Sequence, residues 1–176
     1  SAKPAVKKTA PRAKAMAISR PRVMPETVLE IADELFGSPD FVVCDPTWAF
    51  PEHHMVRVLG PDDADFDLPD QWRGRGLVHS DEQQFSSVLS LAKQMYESGP
   101  LESALLVVPA VTDHPALEMF HAAPRAFFRK RLSFAGDEGG QASQPYMLLY
   151  LGPAERTADF YDAAGGVADV YVPFIA

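Results

Sequence analysis

Short apolar runs alternate along this chain with longer segments in which apolar residues recur at helical spacing. Residues 41–44 and 104–109 are almost wholly apolar, which predicts strands buried on both faces. Residues 85–96 carry their apolar side chains on one face of a predicted helix, and Gly99 follows it. Strands that alternate with helices and end in a hairpin predict an α/β fold, an open and mostly parallel sheet with an antiparallel edge hairpin.

The remaining predicted elements complete this pattern, with a long loop over residues 51–71. Helices are predicted from Pro25 to Gly37, over residues 115–121 and, weakly, over residues 159–163. Further strands are predicted over residues 76–79, 127–128, 132–134, 147–151 and 170–174, with a Gly-rich loop at residues 136–140.

Charge is divided unevenly along the chain. Of 16 basic side chains, seven lie in residues 1–22, which hold no acid; nine then stand against 24 acidic ones in the remainder. Residues 1–22, the basic arm, are rich in Ala, Pro and Lys, so we expect them to be disordered alone and to bind an anionic partner in a salt-sensitive way. That partner is nucleic acid or a larger protein assembly; a solubilising leader is the alternative. The arm's basic side chains are Lys3, Lys7, Lys8, Arg12, Lys14, Arg20 and Arg22.

Composition excludes several classes of protein. The single cysteine, Cys44, excludes an internal disulfide framework and a cysteine-rich zinc site. No apolar run approaches the roughly 18 residues that cross a bilayer, and the N-terminus lacks the apolar region of a secretory signal. We therefore expect no membrane association, and a location in the cytoplasm or inside a particle made there.

Residues 105–136 carry the strongest family pattern. They read LLVVPAVTDHPALEMFHAAPRAFFRKRLSFAG, an apolar strand, a proline, a Thr-Asp turn, a short helix with Phe and an Arg-Leu-x-Phe strand. With these residues the chain, from 24 to 152, resembles the phage-type, Dam-like DNA adenine methyltransferases. Met24-Pro25, Phe36-Gly37, Asp45, Trp72 and Arg75 occur in the family's order.

The resemblance implies a methyltransferase-like sheet over residues 23–152, with residues 153–176 as a C-terminal extension. It also implies S-adenosylmethionine as cofactor and a base flipped out of the DNA duplex. The family grips the base with Asn/Asp-Pro-Pro-Tyr/Trp after a strand. The polar side chain and the first proline's carbonyl accept from the base amine, the second proline stiffens the turn, and the aromatic ring stacks on the base.

At that position this sequence has His79, Ser80, Asp81 and Glu82, without either proline or the aromatic ring. Ser80 with Gln83 has the pattern of a helix capping box, and Asp81 and Glu82 suit the positive end of a helix. We therefore expect this degenerate segment to start a helix and catalysis to be lost. An acid–base role of His79 with Asp81 is the alternative.

A second candidate lies upstream, where Asp45-Pro46-Thr47-Trp48 differs from Asp-Pro-Pro-Trp at one position. As a catalytic motif it would offer Asp45 to the base amine and Trp48 for stacking. By its order in the chain the segment instead aligns with the family's cofactor loop, which would place Asp45 near the amino or ribose groups of S-adenosylmethionine. An acidic turn with a core-packing tryptophan is the third interpretation.

Other signals are weaker. No glycine-rich phosphate or dinucleotide motif follows a predicted strand, and the histidines lack metal-ligand spacing, so we expect no metal. Arg125, Arg129, Lys130 and Arg131 form the one basic cluster of the body, suited to phosphate or to neighbouring acids. An acidic body repels duplex DNA, which disfavours a DNA-docking enzyme.

Three functions follow from these patterns. The first is a non-catalytic, methyltransferase-like phage accessory or structural protein in the host cytoplasm or the phage particle, tethered by its basic arm and without a cofactor. The second is an active adenine methyltransferase that uses S-adenosylmethionine. The third is an acidic decoy that inhibits a host nucleic-acid enzyme through the aspartates of residues 62–70.

Overall fold

The computed structural model of the chain describes residues 22–51, 56–134 and 141–174. His53 and His54 and the Gly-rich loop at 136–140 lie outside the described residues. The same holds for six of the arm's basic side chains, Lys3, Lys7, Lys8, Arg12, Lys14 and Arg20.

The described chain forms one seven-stranded sheet with helices on both faces. Its helices are α1 (Glu26–Phe36), α2 (Phe85–Ser98) and α3 (Thr157–Ala164), and short 3₁₀ segments cover Pro69–Trp72, Pro115–Phe120 and Ala154–Arg156. Its strands are β1 (Phe41–Val43), β2 (Arg57–Leu59), β3 (Gly74–His79), β4 (Leu101–Pro109), β5 (Arg125–Phe128), β6 (Tyr146–Leu151) and β7 (Ala168–Tyr171). Each described helix is too short or too polar to span a lipid bilayer.

The strand order is β2-β1-β3-β4-β6-β5-β7. The four strands from β2 to β4 are parallel, whereas β6 runs antiparallel to β4, β5 to β6, and β7 to β5. This confirms the predicted α/β fold, mostly parallel in the centre and antiparallel at one edge, and it is consistent with a Rossmann-like fold. The chain steps from β1 to β2 on one side and returns to β3 on the other, so the topological switch point lies between β1 and β3.

Two hydrophobic layers cover the sheet because alternate side chains of each strand point to opposite faces. On one face, Val42, Leu77 and Leu105 pack in the same core as α1 and α3. On the other, Val43 and Leu106 pack in the same core as α2. The sheet is therefore buried on both faces, as the apolar runs predict.

Glycines end the two long helices. Gly37 (φ 79°) donates its N–H to Asp33 O at 2.7 Å, and Gly99 (φ 109°) donates to Met95 O at 3.2 Å. Positive φ is cheap for glycine alone, so these residues set where α1 and α2 stop.

Two predictions from the apolar pattern are wrong. Residues 51–71 were expected to be a loop, but β2 lies within them; it has three residues and an exposed Arg57, too little for a periodic signal. Residues 132–134 are not a strand, although Ser133 forms an isolated bridge to Gln141. Leu132 and Phe134 are buried from a loop instead, and β5 is the hairpin partner of β6.

The C-terminal extension adds a helix to the α1 face of the domain and a strand to its sheet. α3 packs on α1, and β7 pairs with β5 as the seventh strand. Arg129 joins the two, because its guanidinium donates to the carbonyls of Gly165, Gly166 and Ala168 and to Asp169 Oδ1 at 2.9 Å.

Candidate functional site

The candidate site is a cavity of about 380 Å³ at the topological switch point. In open α/β sheets, ligands bind in the crevice outside the carboxyl ends of the strands at such a point. Asp45 follows β1 and His79 ends β3, so the two segments predicted as separate candidates meet in one cavity, the switch-point crevice. Four carboxylates and one guanidinium line it: Asp45, Asp62, Asp63, Asp81 and Arg22.

The carboxylate of Asp45 is bound within its own turn. Its Oδ1 accepts from the backbone N–H of Thr47 at 2.9 Å and from the Thr47 hydroxyl at 2.8 Å. The N–H of Trp48 donates to Asp45 O at 3.1 Å and closes the turn. The hydrogen bond from the Thr47 N–H, with that from its hydroxyl, holds the pKa of Asp45 below its ordinary value.

Trp48 packs into an aromatic cluster around His79. The ring centroids of Trp48 and His79 are 4.5 Å apart, and Phe134 lies 5.4 Å from Trp48 and 5.8 Å from His79. Tyr146 stacks on His79 with a centroid distance of 5.9 Å and an interplanar angle of 19°. We call Trp48, His79, Phe134 and Tyr146 the aromatic cluster.

His79 is 6% exposed, and its Nε2 has no hydrogen-bond partner among the described residues. Burial lowers the pKa of His79 to about 4; Arg22 acts in the same direction and Asp81 opposes it. The imidazole is therefore neutral at neutral pH, and its Nε2 is covered by protein. This arrangement gives no support to an acid–base pair of His79 with Asp81.

Ser80 remains part of the sheet. Its N–H donates to Val107 O at 3.1 Å, next to the last register pair of β3 and β4, and its hydroxyl donates to Asp81 O at 2.9 Å. The side chain is buried and precedes α2 by five positions, so the capping box predicted for Ser80 and Gln83 is wrong.

Asp81 stabilises the turn that precedes α2. Its Oδ1 accepts from the N–H of Gln84 at 3.0 Å, in the turn that leads into α2. Glu82 lies in that turn and is exposed. The segment therefore leads into α2 through a turn but does not cap it, because the helix begins at Phe85 and its N-cap residue is Gln84.

The loops after β1 and β2 meet at the crevice. A Cβ on Gly60 would lie 2.6 Å from Pro46 Cγ, so only glycine fits there. The N–H of Gly60 donates to Asp63 Oδ2 at 2.7 Å, and the N–H of Cys44 to Leu59 O at 3.3 Å. Burial raises the pKa of the Cys44 thiol to about 12, so it is unreactive.

The predicted basic residues that fall within the described ranges do not come together. Arg22 lines the crevice, whereas Arg129, Lys130 and Arg131 border a separate groove beside α1. Lys130 and Arg131 are exposed, and Arg131 Nη1 donates to Ala142 O at 3.3 Å. Arg129 has a structural role because it ties β5 to the segment before β7.

The described histidines outside the crevice make local bonds. His114 Nδ1 accepts from the N–H of Ala116 at 3.1 Å, and His121 Nδ1 lies 3.0 Å from Glu118 O. Within the described ranges no three His, Cys, Asp or Glu side chains are grouped to hold a metal ion.

Sequence reasoning missed the residues that enclose His79 and those that complete the crevice. Phe134 and Tyr146 come from segments far along the chain, and Asp62 and Asp63 follow a strand that was not predicted. One signal was available: the carboxyl ends of parallel strands meet at one edge, so segments after β1 and β3 belong together.

A scan against models of known protein families and a search of curated proteins gave no match to this chain. The function therefore has to be argued from the crevice and from the residues that carry the resemblance.

Proposed function

We propose that this protein is a methyltransferase-like protein without catalysis, an accessory or structural part of a larger phage or host-cell assembly. Residues 1–22 would tether it to nucleic acid or to an acidic protein surface. The observation that carries the proposal is that the carboxylate of Asp45 is hydrogen-bonded within its own turn and that Trp48 packs on His79.

The accepting half of a base site is the first part that does not fit. An adenine amine needs acceptors directed at it, and Asp45 Oδ1 already accepts two hydrogen bonds from Thr47. A proline in place of Thr47 would have no N–H to donate. The departure of this turn from Asp-Pro-Pro-Trp therefore has a direct consequence for the carboxylate.

The stacking half does not fit either. Trp48 is half-buried against His79 and Phe134, at centroid distances of 4.5 Å and 5.4 Å. A purine that stacked on that face of Trp48 would have to displace the aromatic cluster. The Nε2 atom of His79 is covered by protein, so a base amine does not reach that atom.

The cofactor half of such a site fits better, and this favours a second candidate, an S-adenosylmethionine-binding protein. Carboxylates follow β1, β2 and β3 around the crevice, and an acid after a strand suits ribose hydroxyls or an amino group. Asp45, Asp62 and Asp63 would hold these groups. When bound, S-adenosylmethionine supplies an electrophilic methyl group.

Methyl transfer from labelled S-adenosylmethionine to adenine-containing duplex DNA tests the proposal. We expect no transfer above a protein-free control, and transfer by the pure full-length chain would overturn it. Calorimetry with the same cofactor then separates the two candidates. Micromolar binding that Asp45→Ala abolishes, without transfer, would show that the cofactor half is retained.

The tether is tested in the full-length chain by replacing Lys3, Lys7, Lys8, Arg12, Lys14 and Arg20 with Gln. We expect the unmodified chain to bind duplex DNA or an acidic protein surface with an affinity that falls as salt rises. The neutralised variant should lose that binding. Equal binding by both chains would show that the arm is not the tether.

A further inference from the structure

A second cavity, of about 550 Å³, lies between the start of α1 and the segment after β5. Phe128, Leu132 and Val167 form its apolar wall. Lys130 and Arg131 stand at its rim and are exposed, and Lys130 has no hydrogen-bond or ion-pair partner in the described part of the chain. We call this cavity the basic groove.

Exposed apolar side chains concentrate around the same end of the sheet. Six large apolar side chains are exposed among the described residues, and five belong to α3 or to the segment from Val167 to Phe174. Beyond β7 the described sheet has no further strand. A concentrated apolar patch beside an unpaired strand edge is typical of an interaction surface. The five are Tyr161, Val167, Tyr171, Val172 and Phe174.

The sixth exposed side chain, Leu68, lies in a strongly acidic segment. Leu68 is 52% exposed and follows Asp65 and Asp67 in residues 62–70, which we call the acidic loop. The loop is held in shape, because Trp72 Nε1 donates to Phe66 O at 2.6 Å and the two rings lie 5.4 Å apart. A loop held in this way loses little conformational entropy when it binds.

We propose that the acidic loop of one copy of this chain docks in the basic groove of a second copy. Leu68 would contact the apolar wall, and Asp65 and Asp67 would lie beside Lys130 and Arg131. The inference rests on the proposed function, which makes this chain part of a larger assembly. It adds that one partner in that assembly is a second copy of the chain.

The positions of loop and groove favour two copies over one. Phe66 packs with the core on the α2 face, whereas Phe128 and Leu132 belong to the core on the α1 face. Within one copy the sheet therefore separates the acidic loop from the basic groove, and the contact has to form between copies.

Charge favours a head-to-tail contact over a two-fold dimer of the groove ends. A two-fold dimer would bring Lys130 and Arg131 of both copies together, and like charges oppose such a contact. A head-to-tail contact pairs opposite charges and leaves a free loop at one end and a free groove at the other. Further copies can then add, as in an open filament.

Sedimentation velocity of the full-length chain tests the proposal. The concentration is varied from about 10 µM to about 1 mM, because a contact between one loop and one groove is small and is expected to be weak. We expect the mean sedimentation coefficient to rise with concentration. The loop-reversed variant (Asp65→Lys, Asp67→Lys) and the groove-reversed variant (Lys130→Glu, Arg131→Glu) should each associate roughly tenfold or more weakly. Circular dichroism verifies that both are folded.

The decisive sample is an equimolar mixture of the two reversed variants. Each variant alone places charges of the same sign at the substituted loop and groove positions, whereas in the mixture the substituted loop of one variant meets the substituted groove of the other with opposite charges. We expect the mixture to associate as strongly as the unmodified chain. A mixture that stays monomeric would overturn the proposal, as would an unmodified chain that is monomeric throughout or forms a closed dimer insensitive to both reversals.

Two controls complete the test. Glu34→Lys changes an exposed charge on α1 and should leave the association unchanged. The chain with its six arm cations replaced by Gln should still associate, and its failure to do so would assign the contact to the arm and overturn the proposal. Methyl transfer is measured separately: a monomer without transfer defeats this inference alone, and an associating chain with transfer defeats the proposed function alone.

Discussion

At the switch-point crevice Asp45, Trp48 and His79 contact neighbouring side chains of the same domain, whereas Tyr171, Val172 and Phe174 near β7 face outward. Both regions lie at positions where α/β proteins often bind something, a strand-end crevice and a sheet edge. At the crevice Asp45 and the aromatic cluster make contacts within the domain, whereas the large apolar side chains near the edge are mostly exposed. Under the proposed function, binding by this protein would use its outer surface rather than the small-molecule crevice.

Phe134→Ala should show the largest effect, because Phe134 is buried against both Trp48 and His79. We expect a loss of about 3–5 kcal/mol in the free energy of unfolding, from lost burial and the cavity that remains. Chemical denaturation measures it. A loss below about 1 kcal/mol would mean that the aromatic cluster is not part of the core, and the contrast between the crevice and the β7 edge would not hold.

His79 should make stability depend on pH. Its folded pKa of about 4 lies below the ordinary 6.5, so the unfolded chain takes up a proton first as pH falls. The stability that neutral His79 contributes is present above pH 6.5 and is lost progressively toward pH 4, by about 3 kcal/mol. His79→Phe should remove this part of the pH dependence when unfolding is measured from pH 7 to pH 4.

The matched control for that titration is His121→Phe, since His121 is exposed. Its pH profile should follow that of the unmodified chain. If His79→Phe and His121→Phe gave the same profile, burial of His79 in the cluster would not be the cause.

Thr47→Pro tests the Asp45 side of the crevice, because it gives this turn the sequence Asp-Pro-Pro-Trp. Both hydrogen bonds to Asp45 Oδ1 are lost, so the pKa of Asp45 should rise toward its ordinary value, at a cost of about 1 kcal/mol in stability. Carboxyl NMR titration measures the rise, and Thr47→Ala, which keeps the N–H, should give a smaller one. We expect no methyl transfer from Thr47→Pro, because Trp48 stays packed on His79.

Asp81→Ala should cost about 1 kcal/mol, the usual net value of one lost hydrogen bond, here that from the N–H of Gln84. It should also lower the pKa of His79 further, since Asp81 is the group that raises it. Glu82→Ala, in the same exposed turn, should change stability by less than about 0.5 kcal/mol. Equal effects of the two substitutions in thermal unfolding would show that the hydrogen bond between Asp81 and Gln84 does not stabilise this turn.

Phe174→Ser should have the smallest effect on folding. Phe174 is 94% exposed, so the free energy of unfolding should stay within about 0.5 kcal/mol of that of the unmodified chain. A clear destabilisation in urea would show that the β7 end is packed on the domain, and the contrast with the crevice would disappear.

Much of the fold could be predicted because apolar periodicity reports burial. The runs that contain β1, β4 and β6 are buried on both faces, and the stripes of α1 and α2 face the core. β2 could not be predicted, since three residues on a sheet edge carry no period. Residues 132–134 were wrongly predicted to be a strand because their apolar side chains are buried. Leu132 and Phe134 are buried from a loop, without strand pairing.

The sequence identified several residues that line the crevice, but not the contacts that these residues make. Asp45 and Trp48 stood out because their segment differs from Asp-Pro-Pro-Trp at one position. His79 stood out because its segment lacks both prolines and the aromatic ring of the motif expected there. That Thr47 would bind Asp45, and that Phe134 and Tyr146 would enclose His79, depends on loop geometry and on contacts distant in sequence. No local pattern encodes such contacts.

The place of β6 in the sheet has a consequence for local opening. β6 pairs with β4 at six register positions and also with β5, which in turn holds β7. Separation of β6 from β4 would release all three antiparallel strands together, so we regard them as one cooperative unit. Amide protons of β5 and β7 should then exchange with solvent no more slowly than those at the boundary between β4 and β6.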